Sequence, residues 1–505
     1  MKQYDVIVIG TGAGNTVLEG ALAKGLKCAQ IEKGKFGGTC LTRGCIPTKV
    51  MVTAADYIRE IEKMERIGVE VGSAKMNWAR VSERLWKKID ESQAIKEMYE
   101  SREGVDVYQG TGYFTGKRTI QVQFADGTQS EEMTAPMIFL NVGGRTKVNS
   151  IKGLEDVGYI TSESFFGEKY PKTPYESLII MGGGPIGTEF AHALAAAGTK
   201  VTLIQHNKRL LPKEDEEISA QILKDILALG IDVRVNAEPE EVFLRDGQKV
   251  LRFSDRDTGV VTEVMGEEIL MASGIRPNSD LLHLEKTDIE TDSRGWIRTN
   301  EFLETTVEGI WALGDINGQA PFRHKANYEA DILVHNLFSD NPPKCWRWAR
   351  YDLVPAVTYT YPQAAHVGLT EAEARKAGYD VKTAKNYYSA SAKGFAMGFT
   401  PNDPHDGFVK VVADRPTNTI LGVHIIGPEA SILIQPFINL MNAGETPLIP
   451  VNEDIASLTV QQLRKSGIIR ILDPHSILSI GETMTPHPSL SEVTMWTQYY
   501  YEGKV

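Results

Sequence analysis

Residues 37–49 read GGTCLTRGCIPTK and hold two of the four cysteines of the chain, Cys40 and Cys45. The two lie five positions apart, close enough to form a disulfide across a short loop. The pair is either a redox-active disulfide, two buried thiols or half of a zinc site. No second ligand pair follows at zinc spacing, so we predict no metal site. The segment that precedes the pair bears on the remaining choice.

A strand, a glycine-rich turn and a helix precede the cysteines. Residues 4–9, YDVIVI, are typical of a buried parallel strand. A second strand, residues 28–31, ends at Glu32, where an acid can bind a ribose diol. Between them lies GTGAGN, which suits a pyrophosphate at a helix N-terminus and contains Gly10, Gly12 and Gly14, with Asn15 at the usual third glycine position. A plain glycine turn is the alternative. A disulfide beside a dinucleotide site indicates electron transfer rather than structural stapling.

The same pattern returns later in the chain, which indicates an internal duplication. Residues 177–181, SLIIM, predict a strand, and a full G-x-G-x-x-G follows at Gly182, Gly184 and Gly187. The next strand, KVTLI, ends at Gln205 in place of an acid. Three basic residues come after it and either meet a 2′-phosphate or form a solvated turn: His206, Lys208 and Arg209. The choice between NAD and NADP therefore stays open.

Two further stretches end strands at glycines. Residues 138–143 end at a Gly-Gly pair that includes Gly143, and IWALGDING carries Gly314 and Asp315, an acid placed to hold a polyol chain. From residue 351 onward, alternating patterns predict strands, and residues 430–444 predict a helix. We therefore expect a third, α+β domain.

A histidine with an acidic neighbour lies near the C-terminus, in TPHPSLSEVTMW. His487 and Glu492 are five residues apart and could form a catalytic dyad or a surface contact. The preceding residues 455–480 are apolar and have no evident role.

Composition limits the class of protein. The net charge of −12 argues against a nucleic-acid partner. Four cysteines in 505 residues do not form a secreted disulfide framework, so we expect a cytoplasmic protein. A strand begins almost at residue 1, which leaves no room for a signal peptide. No apolar run reaches the ~20 residues of a membrane span.

The chain resembles the FAD-dependent pyridine nucleotide–disulfide oxidoreductases, which include dihydrolipoamide dehydrogenase and mycothione reductase. GGTCLTRGCIPTK carries the resemblance, with counterparts also for IWALGD, ASGIRPN, YTYPQAAHVGLT, LGVHIIG and HPSLSE. GCIPTK is most similar to dihydrolipoamide dehydrogenase, whereas GTGAGNTVLE and GPEASILIQP are similar to mycothione reductase. The implied fold is α/β, with two Rossmann-like domains and a C-terminal α+β dimerisation domain. The implied boundaries are 1–150 and 281–345 for FAD, 151–280 for NAD(P) and 346–505 for dimerisation.

The resemblance also implies a role for each motif residue. Cys45 would face the flavin, Cys40 would exchange with substrate, and His487 of the partner subunit would be the acid–base catalyst. Glu492 would orient His487, and Lys49 would lie near the flavin, paired with Glu189. The implied FAD-binding residues are Gly10, Gly12, Gly14, Glu32, Gly38, Thr39, Lys49, Gly143, Gly314 and Asp315. The implied NAD or NADP residues are Gly182, Gly184, Gly187, Gln205 and Gly274.

These roles imply a homodimeric enzyme that moves electrons between NAD(P)(H) and a small thiol or disulfide. Dihydrolipoamide, free or on a lipoyl protein, is the expected substrate, with a low-molecular-weight disulfide of the mycothione type as the alternative. A hypothesis of another class is an electron-transfer subunit that docks on a protein partner through residues 455–480.

Overall fold

The computed structural model describes residues 1–503, and its first part is an α/β unit. The strands are β1 (Lys2–Gln3), β2 (Val6–Ile9), β3 (Cys28–Glu32), β4 (Val105–Gln109), β5 (Thr111–Gly116), β6 (Thr119–Gln123), β7 (Met133–Thr134), β8 (Met137–Leu140) and β9 (Gly144–Thr146). The helices are α1 (Gly14–Ala23), α2 (Gly38–Arg43), α3 (Cys45–Glu62), α4 (Trp78–Ile89) and α5 (Glu91–Glu100), with a 3-10 helix at Met64–Ile67.

A five-stranded parallel sheet positions the site in this first unit. β2 lies in its middle between β3 and β8, and every residue of β2 is buried, as in other central parallel strands. β4 pairs with β3 at one edge, and the later strand Ile310–Ala312 pairs with β8 at the other. Because these strands are parallel, their carboxyl ends meet at one edge of the sheet, where dinucleotides bind.

The second unit repeats this plan with a four-stranded parallel sheet, whose strands lie in the order Asp232–Arg234, Lys200–Ile204, Ser177–Met181 and Glu268–Met271. The helices are α6 (Leu154–Val157), α7 (Ser162–Phe165), α8 (Pro185–Ala196) and α9 (Glu216–Ala228). The strands are β10 (Ser177–Met181), β11 (Lys200–Ile204), β12 (Asp232–Arg234), β13 (Ala237–Arg245), β14 (Gln248–Asp255), β15 (Val261–Gly266), β16 (Glu268–Met271) and β17 (Ile275–Pro277). Short 3-10 helices follow at Ser279–Leu281 and Leu284–Lys286.

The rest of the chain returns to the first sheet through β18 (Ile310–Ala312) and then forms an antiparallel sheet. Its strands lie in the order Ala356–Thr358, Gln363–Gly368, Ile420–Gly427, Phe408–Asp414 and Val381–Tyr387. The strands are β19 (Ala356–Thr358), β20 (Gln363–Gly368), β21 (Val381–Tyr387), β22 (Phe408–Asp414), β23 (Ile420–Gly427), β24 (Glu445–Pro447) and β25 (Ile469–Ile471). The helices are α10 (Arg323–Leu337), α11 (Glu371–Lys376), α12 (Ala392–Ala396), α13 (Ala430–Leu433), α14 (Gln435–Asn442), α15 (Leu458–Ser466), α16 (Glu492–Met495) and α17 (Thr497–Tyr501). The 3-10 helices are Gly314–Asn317, Pro343–Cys345, Tyr388–Ala390 and Ile477–Glu482.

The predicted fold class is confirmed: two Rossmann-like units precede an α+β part. The predicted boundaries at residues 150, 280 and 345 stay a prediction. One predicted element is wrong, because residues 430–444 form two short helices, α13 and α14, rather than one. Pro436 lies in the first turn of α14, where its missing N–H is tolerated, whereas inside a continuous helix it would break a hydrogen bond. None of the helices formed by residues 1–503 is long and apolar enough to cross a bilayer.

Residues 455–480, which had no evident role in the sequence, form α15, β25 and the start of the last 3-10 helix. β25 pairs with β24 in a separate two-stranded sheet. Several apolar side chains of this segment are exposed, including Leu458, Ile469 and Ile471. The segment therefore presents an apolar surface in the single chain.

Candidate functional site

Two consecutive helices carry the cysteines. Cys40 lies within α2, and Cys45 is the first residue of α3, as predicted from Pro47 two positions later. α2 lies directly against the first glycine loop, because a Cβ on Gly38 would come within 2.7 Å of Gly12 Cα. Gly38 also has φ +71°, which favours glycine. The cysteines are thereby fixed next to the first dinucleotide site.

The thiols and the C-terminal histidine meet in one cluster. Cys40 Sγ lies 3.0 Å from His487 Nε2, and His487 Nδ1 lies 2.8 Å from Glu492 Oε1. One donor atom each of Cys40, Cys45 and His487 lies within 4.8 Å of the other two. Cys40 is buried and Cys45 is partly exposed. Glu492 is itself held by the backbone N–H of Ser489 at 3.2 Å.

The two thiols differ in acidity. A hydrogen bond from Cys40 lowers the pKa of Cys45 to about 6, and the positive charges of His487 and Lys49 act in the same direction. The same thiol–thiol hydrogen bond, together with burial, raises the pKa of Cys40 well above its usual value. A hydrogen bond to a charged acceptor favours the charged form of that acceptor. The negative charge of the pair therefore resides on Cys45, and Cys40 keeps its proton.

A buried ion pair lies close to the two thiols. Lys49 Nζ lies 2.5 Å from Glu189 Oε2, which confirms that these two residues meet. Glu189 Oε1 accepts the backbone N–H of Tyr359 at 3.0 Å, and the Lys49 ammonium lies 4.4 Å from the centroid of the Tyr359 ring. The pair links α3 of the first unit to α8 of the second.

Within one chain, the imidazole at Cys40 belongs to that chain's own His487. The expectation that the partner subunit supplies this imidazole stays a prediction. The C-terminal segment folds back over α10, where His324 Nδ1 accepts the backbone N–H of His487 at 3.3 Å. Burial lowers the pKa of His324 to about 4, so its ring stays neutral and keeps this acceptor. Tyr359 also donates its hydroxyl to the carbonyl of Pro488.

The first glycine loop is held by side chains from distant segments. Glu32 Oε2 accepts the backbone N–H of Thr11 at 3.0 Å and its hydroxyl at 2.7 Å, and Glu32 Oε1 accepts the N–H of Gly34 at 2.7 Å. Asn141 Oδ1 accepts the N–H of Gly14, the first residue of α1, at 2.8 Å. We did not predict Thr11 or Asn141, and only the position of Asn141 at the end of β8 could have pointed to it.

The loop after β18 lies at the same edge of the sheet. Gly314 N–H donates to Glu329 at 2.6 Å, and Lys325 donates to the Gly314 carbonyl at 2.8 Å, both inside the core. Burial raises the pKa of the next residue, Asp315. Asn141 links this loop to the first glycine loop by donating to Leu313 O at 2.9 Å.

The structure places most of the predicted FAD residues at this edge, and their packing fits the cofactor. A Cβ on Gly10 would lie 2.2 Å from Asn141 O, so only glycine at position 10 allows the loop to pass this close to the segment that follows β8. Gly10 also has φ +103°. Of the remaining predicted residues, Gly12 and Gly38 are in mutual contact, Thr39 is exposed at the start of α2, Lys49 lies on α3 and Gly143 lies in the loop between β8 and β9. A loop of closely approaching backbone at a helix N-terminus is the cradle that a pyrophosphate requires.

One further cation lies in this cradle. Arg323, the first residue of α10, places Nη1 3.7 Å from the position of a Cβ on Gly12. Its charge contributes to the lowered pKa of Cys45. We did not predict Arg323, since its neighbours in sequence carry no motif.

The second glycine loop follows the same plan. Gly182 has φ +124°, and a Cβ on Gly187 would lie 1.8 Å from Gly182 O, so both positions require glycine. Gly184 caps α8, and open space surrounds its Cβ position. Gly274, at φ +106°, precedes β17. Gln205 Oε1 accepts the N–H of Gly183 at 3.0 Å, and Gln205 Nε2 donates to Arg209 O at 3.0 Å.

Each of the three basic residues after β11 forms an ion pair with an acidic residue. The three pairs are His206 with Glu238 at 2.9 Å, Lys208 with Asp257 at 2.6 Å and Arg209 with Glu216 at 3.1 Å. The His206 and Lys208 side chains are exposed, whereas Arg209 is half-buried. Each cation therefore already has a carboxylate partner.

Comparisons with known proteins agree with this geometry. Residues 4–330 match the family described as pyridine nucleotide-disulphide oxidoreductase, and residues 354–458 match its dimerisation domain, which supports a homodimer. A dihydrolipoyl dehydrogenase of Bacillus subtilis is 32% identical over 99% of this chain and 98% of its own length. A mycothione reductase of Mycobacterium tuberculosis is 33% identical over 88% of this chain and 94% of its own length.

A solved structure shows the same likeness. The HOCl-induced flavoprotein disulfide reductase RclA from Escherichia coli superposes with a TM-score of 0.71 at 25% identity, over 97% of this chain and 98% of that chain. Family, relatives and fold agree on a flavoprotein that uses FAD and NAD(P). The chain belongs to the pyridine nucleotide-disulphide oxidoreductase family.

Proposed function

We propose that this protein is a dihydrolipoamide dehydrogenase, which oxidises dihydrolipoamide and passes the electrons through Cys40 and Cys45 to NAD⁺. The observation that carries the proposal is the 3.0 Å contact between Cys40 Sγ and His487 Nε2, beside a second thiol of lowered pKa. Thiol–disulfide exchange needs a sulfur that the incoming thiolate attacks, a base for the incoming thiol's proton and a stable leaving thiolate. Cys40, His487 and Cys45 fill these roles in turn.

The exchange proceeds through a mixed disulfide on Cys40. His487 takes the proton of a substrate thiol, and the resulting thiolate attacks Cys40 of the Cys40–Cys45 disulfide. The bond between the two cysteines breaks, and Cys45 leaves as a thiolate. The second substrate thiol releases its proton to solvent and, as its thiolate, displaces Cys40, which leaves with the proton held by His487. The substrate has become a cyclic disulfide, and the cysteine pair is reduced to a Cys40 thiol and a Cys45 thiolate.

The chain's own groups assist each stage. Glu492 holds His487 Nδ1 at 2.8 Å and thus leaves Nε2 free to exchange a proton at Cys40. Lys49 and Arg323 stabilise the Cys45 thiolate. FAD, when bound, carries the electron pair between the cysteines and the nicotinamide. The FAD residues would be those around the first glycine loop, and the NAD(P) residues those around the second.

A cleft beside His487 supports a compact, partly apolar substrate. It has a cavity volume of about 50 Å³ and lies between α10 and the C-terminal segment. Its lining mixes apolar side chains, Met484, Met495 and Trp496, with polar ones such as Asp331 and His487. Apolar side chains next to a base suit the dithiolane ring of a lipoyl group.

The proposed nicotinamide is NAD. The three basic side chains that could meet a 2′-phosphate are each paired with a carboxylate, and a phosphate would have to displace these partners. Gln205 is a neutral residue that can still bond to a ribose hydroxyl. The compartment that we propose is the cytoplasm, and the domain boundaries are those predicted from the sequence.

Two alternatives keep an observation in their favour. The relation to a mycothione reductase favours a low-molecular-weight disulfide as substrate. The exposed Leu458, Ile469 and Ile471 favour docking of a protein partner, such as a lipoyl protein or an electron acceptor.

The deciding experiment assays purified FAD-loaded protein with dihydrolipoamide and with a panel of disulfides, using NAD⁺, NADP⁺, NADH and NADPH in parallel. We expect dihydrolipoamide with NAD⁺ to give the highest kcat/KM. A higher value for another disulfide would overturn the substrate assignment but not the thiol mechanism. Turnover only in the presence of a co-purifying protein would favour the docking hypothesis.

A further inference from the structure

A second group of metal-ligating side chains lies outside the thiol site. Glu214 precedes α9 in the second unit, whereas His366 and His424 lie on β20 and β23 of the C-terminal sheet. One donor atom of each residue lies within 4.8 Å of the other two. The group therefore bridges two parts of the fold that are distant in sequence.

Strand register brings the two histidines together. β20 and β23 are antiparallel, and His366 lies directly opposite His424. Directly opposed residues project from the same face of a sheet, and the two imidazole centroids are 5.8 Å apart. Glu214 Oε2 lies 2.7 Å from His366 Nδ1 and completes the group from the other side of the junction.

The backbone fixes the tautomer of His424. Its Nε2 lies 3.1 Å from the carbonyl of Leu369, and a carbonyl only accepts, so Nε2 carries the proton. Nδ1 of the neutral ring therefore presents a lone pair. That atom is buried and has no hydrogen-bond partner among residues 1–503, and the whole side chain is inaccessible to solvent. Metal-ligating histidines are held in this way, with the second ring nitrogen donating to a carbonyl.

The local charge also favours a cation. Lys410 lies directly opposite His424 on β22, and its ammonium is close to Asp215 at 2.9 Å, Glu217 at 2.9 Å and Glu371 at 2.8 Å. Three carboxylates thus surround one buried ammonium, and Glu214 adds a fourth carboxylate to the junction. An additional positive charge would reduce this excess of negative charge.

We propose that Glu214, His366 and His424 bind a divalent transition-metal ion, for which Zn²⁺ is the best match. Two imidazole nitrogens and one carboxylate oxygen are a common zinc ligand set, and water can complete the tetrahedron. The partly exposed side of His366 offers a route of entry. The ion would clamp the second dinucleotide unit to the C-terminal sheet. No spacing in the sequence signals this site, because its residues come from three distant segments.

The test measures Zn²⁺ binding to FAD-loaded protein by equilibrium dialysis with metal analysis. The parent protein carries Cys40→Ser and Cys45→Ser, which remove the thiols that could bind zinc elsewhere. We expect one Zn²⁺ per chain, and at least about tenfold weaker binding in Glu214→Gln, His366→Gln and His424→Gln, since even supporting residues of metal sites act on this scale. The matched control is His405→Gln, which removes a histidine from the two-residue pair with Asp225 and leaves zinc binding unchanged.

Thermal unfolding gives a second readout. Zn²⁺ should raise the unfolding midpoint of the parent and of His405→Gln, but not that of His366→Gln. Retained flavin absorbance shows that each variant is folded, and the partly exposed His366 position keeps the test open if the variants of the buried His424 and Glu214 misfold. Absence of stoichiometric zinc in the parent, or equal binding in the parent, Glu214→Gln and His366→Gln, would overturn the proposal and leave an ordinary ion pair.

Discussion

The two dinucleotide-binding units are built alike up to the end of their second strands and then diverge. In the first unit, Glu32 accepts the N–H of the residue after the first glycine at 3.0 Å. In the second, Gln205 accepts the equivalent N–H, that of Gly183, also at 3.0 Å. The same contact therefore stabilises both glycine loops, once with a charged side chain and once with a neutral one.

The segments after these two strands differ more than the strands themselves. Glu32 is followed by the cysteine loop, which lies against the first glycine loop through Gly38. Gln205 is followed by an exposed basic turn with acidic partners. The same kind of folding unit thus serves two purposes. The first unit positions the reactive cysteines, and the second unit binds the nicotinamide nucleotide. Substitutions in the two units should therefore have separable effects.

The largest effect is expected for Cys45→Ser in the first unit. Loss of a redox sulfur should lower dihydrolipoamide oxidation at least about 1000-fold, the scale seen when a nucleophile is removed. NADH oxidation by an artificial quinone acceptor should persist, because it needs the flavin and the second unit only. Cys345→Ser, at an exposed free thiol, is the control. Equal loss of both activities would contradict the division between the units.

A smaller effect is expected for His487→Gln. Removal of a general acid–base should lower kcat/KM for the dithiol by about 100-fold to 10,000-fold. His475→Gln, at an exposed position of the same C-terminal segment, should leave it unchanged.

The same variant shows which chain supplies the imidazole. Heterodimers of a Cys45→Ser chain and a His487→Gln chain should be inactive if His487 serves its own chain, as in this structure. About half of the wild-type activity would instead show that the segment is exchanged between subunits.

A third prediction concerns the charged contact of the first unit. Glu32→Gln weakens the acceptor of three hydrogen bonds, from Thr11 N–H, the Thr11 hydroxyl and Gly34 N–H. Hydrogen bonds to a charged group contribute about 1.5–3 kcal/mol, so FAD should dissociate about 10-fold to 100-fold more readily. Flavin release during dilution, followed by fluorescence, measures this. An unchanged FAD affinity would mean that the charge of Glu32 has no part in holding the cofactor.

The smallest effect is expected for the converse change, Gln205→Glu. A carboxylate at this strand end should favour an unphosphorylated ribose and repel a 2′-phosphate. A charge contact of about 1 kcal/mol between this carboxylate and the ribose would raise the kcat/KM ratio of NADH to NADPH by roughly fivefold. Parallel kinetics with both nucleotides measure it, and Gln205→Met controls for loss of the amide. A fall in the ratio would mean that the two strand ends are not equivalent.

The parts of the site that could be predicted are those encoded by local sequence. GGTCLTRGCIPTK and both glycine motifs are continuous stretches, and the start of α3 at Cys45 follows from Pro47 in its first turn. The meeting of Lys49 with Glu189 was implied only by the family resemblance.

The missed residues depend on tertiary contacts. Asn141 and His324 act on residues 127 and 163 positions away, so no motif contains both partners. Which chain supplies His487 depends on the path of the C-terminal segment, which no local pattern specifies. The break between α13 and α14 could have been predicted from Pro436.

The most direct test of the central claim is an anaerobic titration of the FAD-loaded protein with NADH, followed by absorbance at several pH values. We predict a long-wavelength band from a Cys45 thiolate against oxidised flavin after two-electron reduction. Because the pKa of Cys45 is lowered to about 6, the band should be full above that pH and fade as the pH falls through it. Cys45→Ser should lack the band, and Cys40→Ser should show it without reduction. A band that survives in Cys45→Ser, or that grows as the pH falls, would contradict the account.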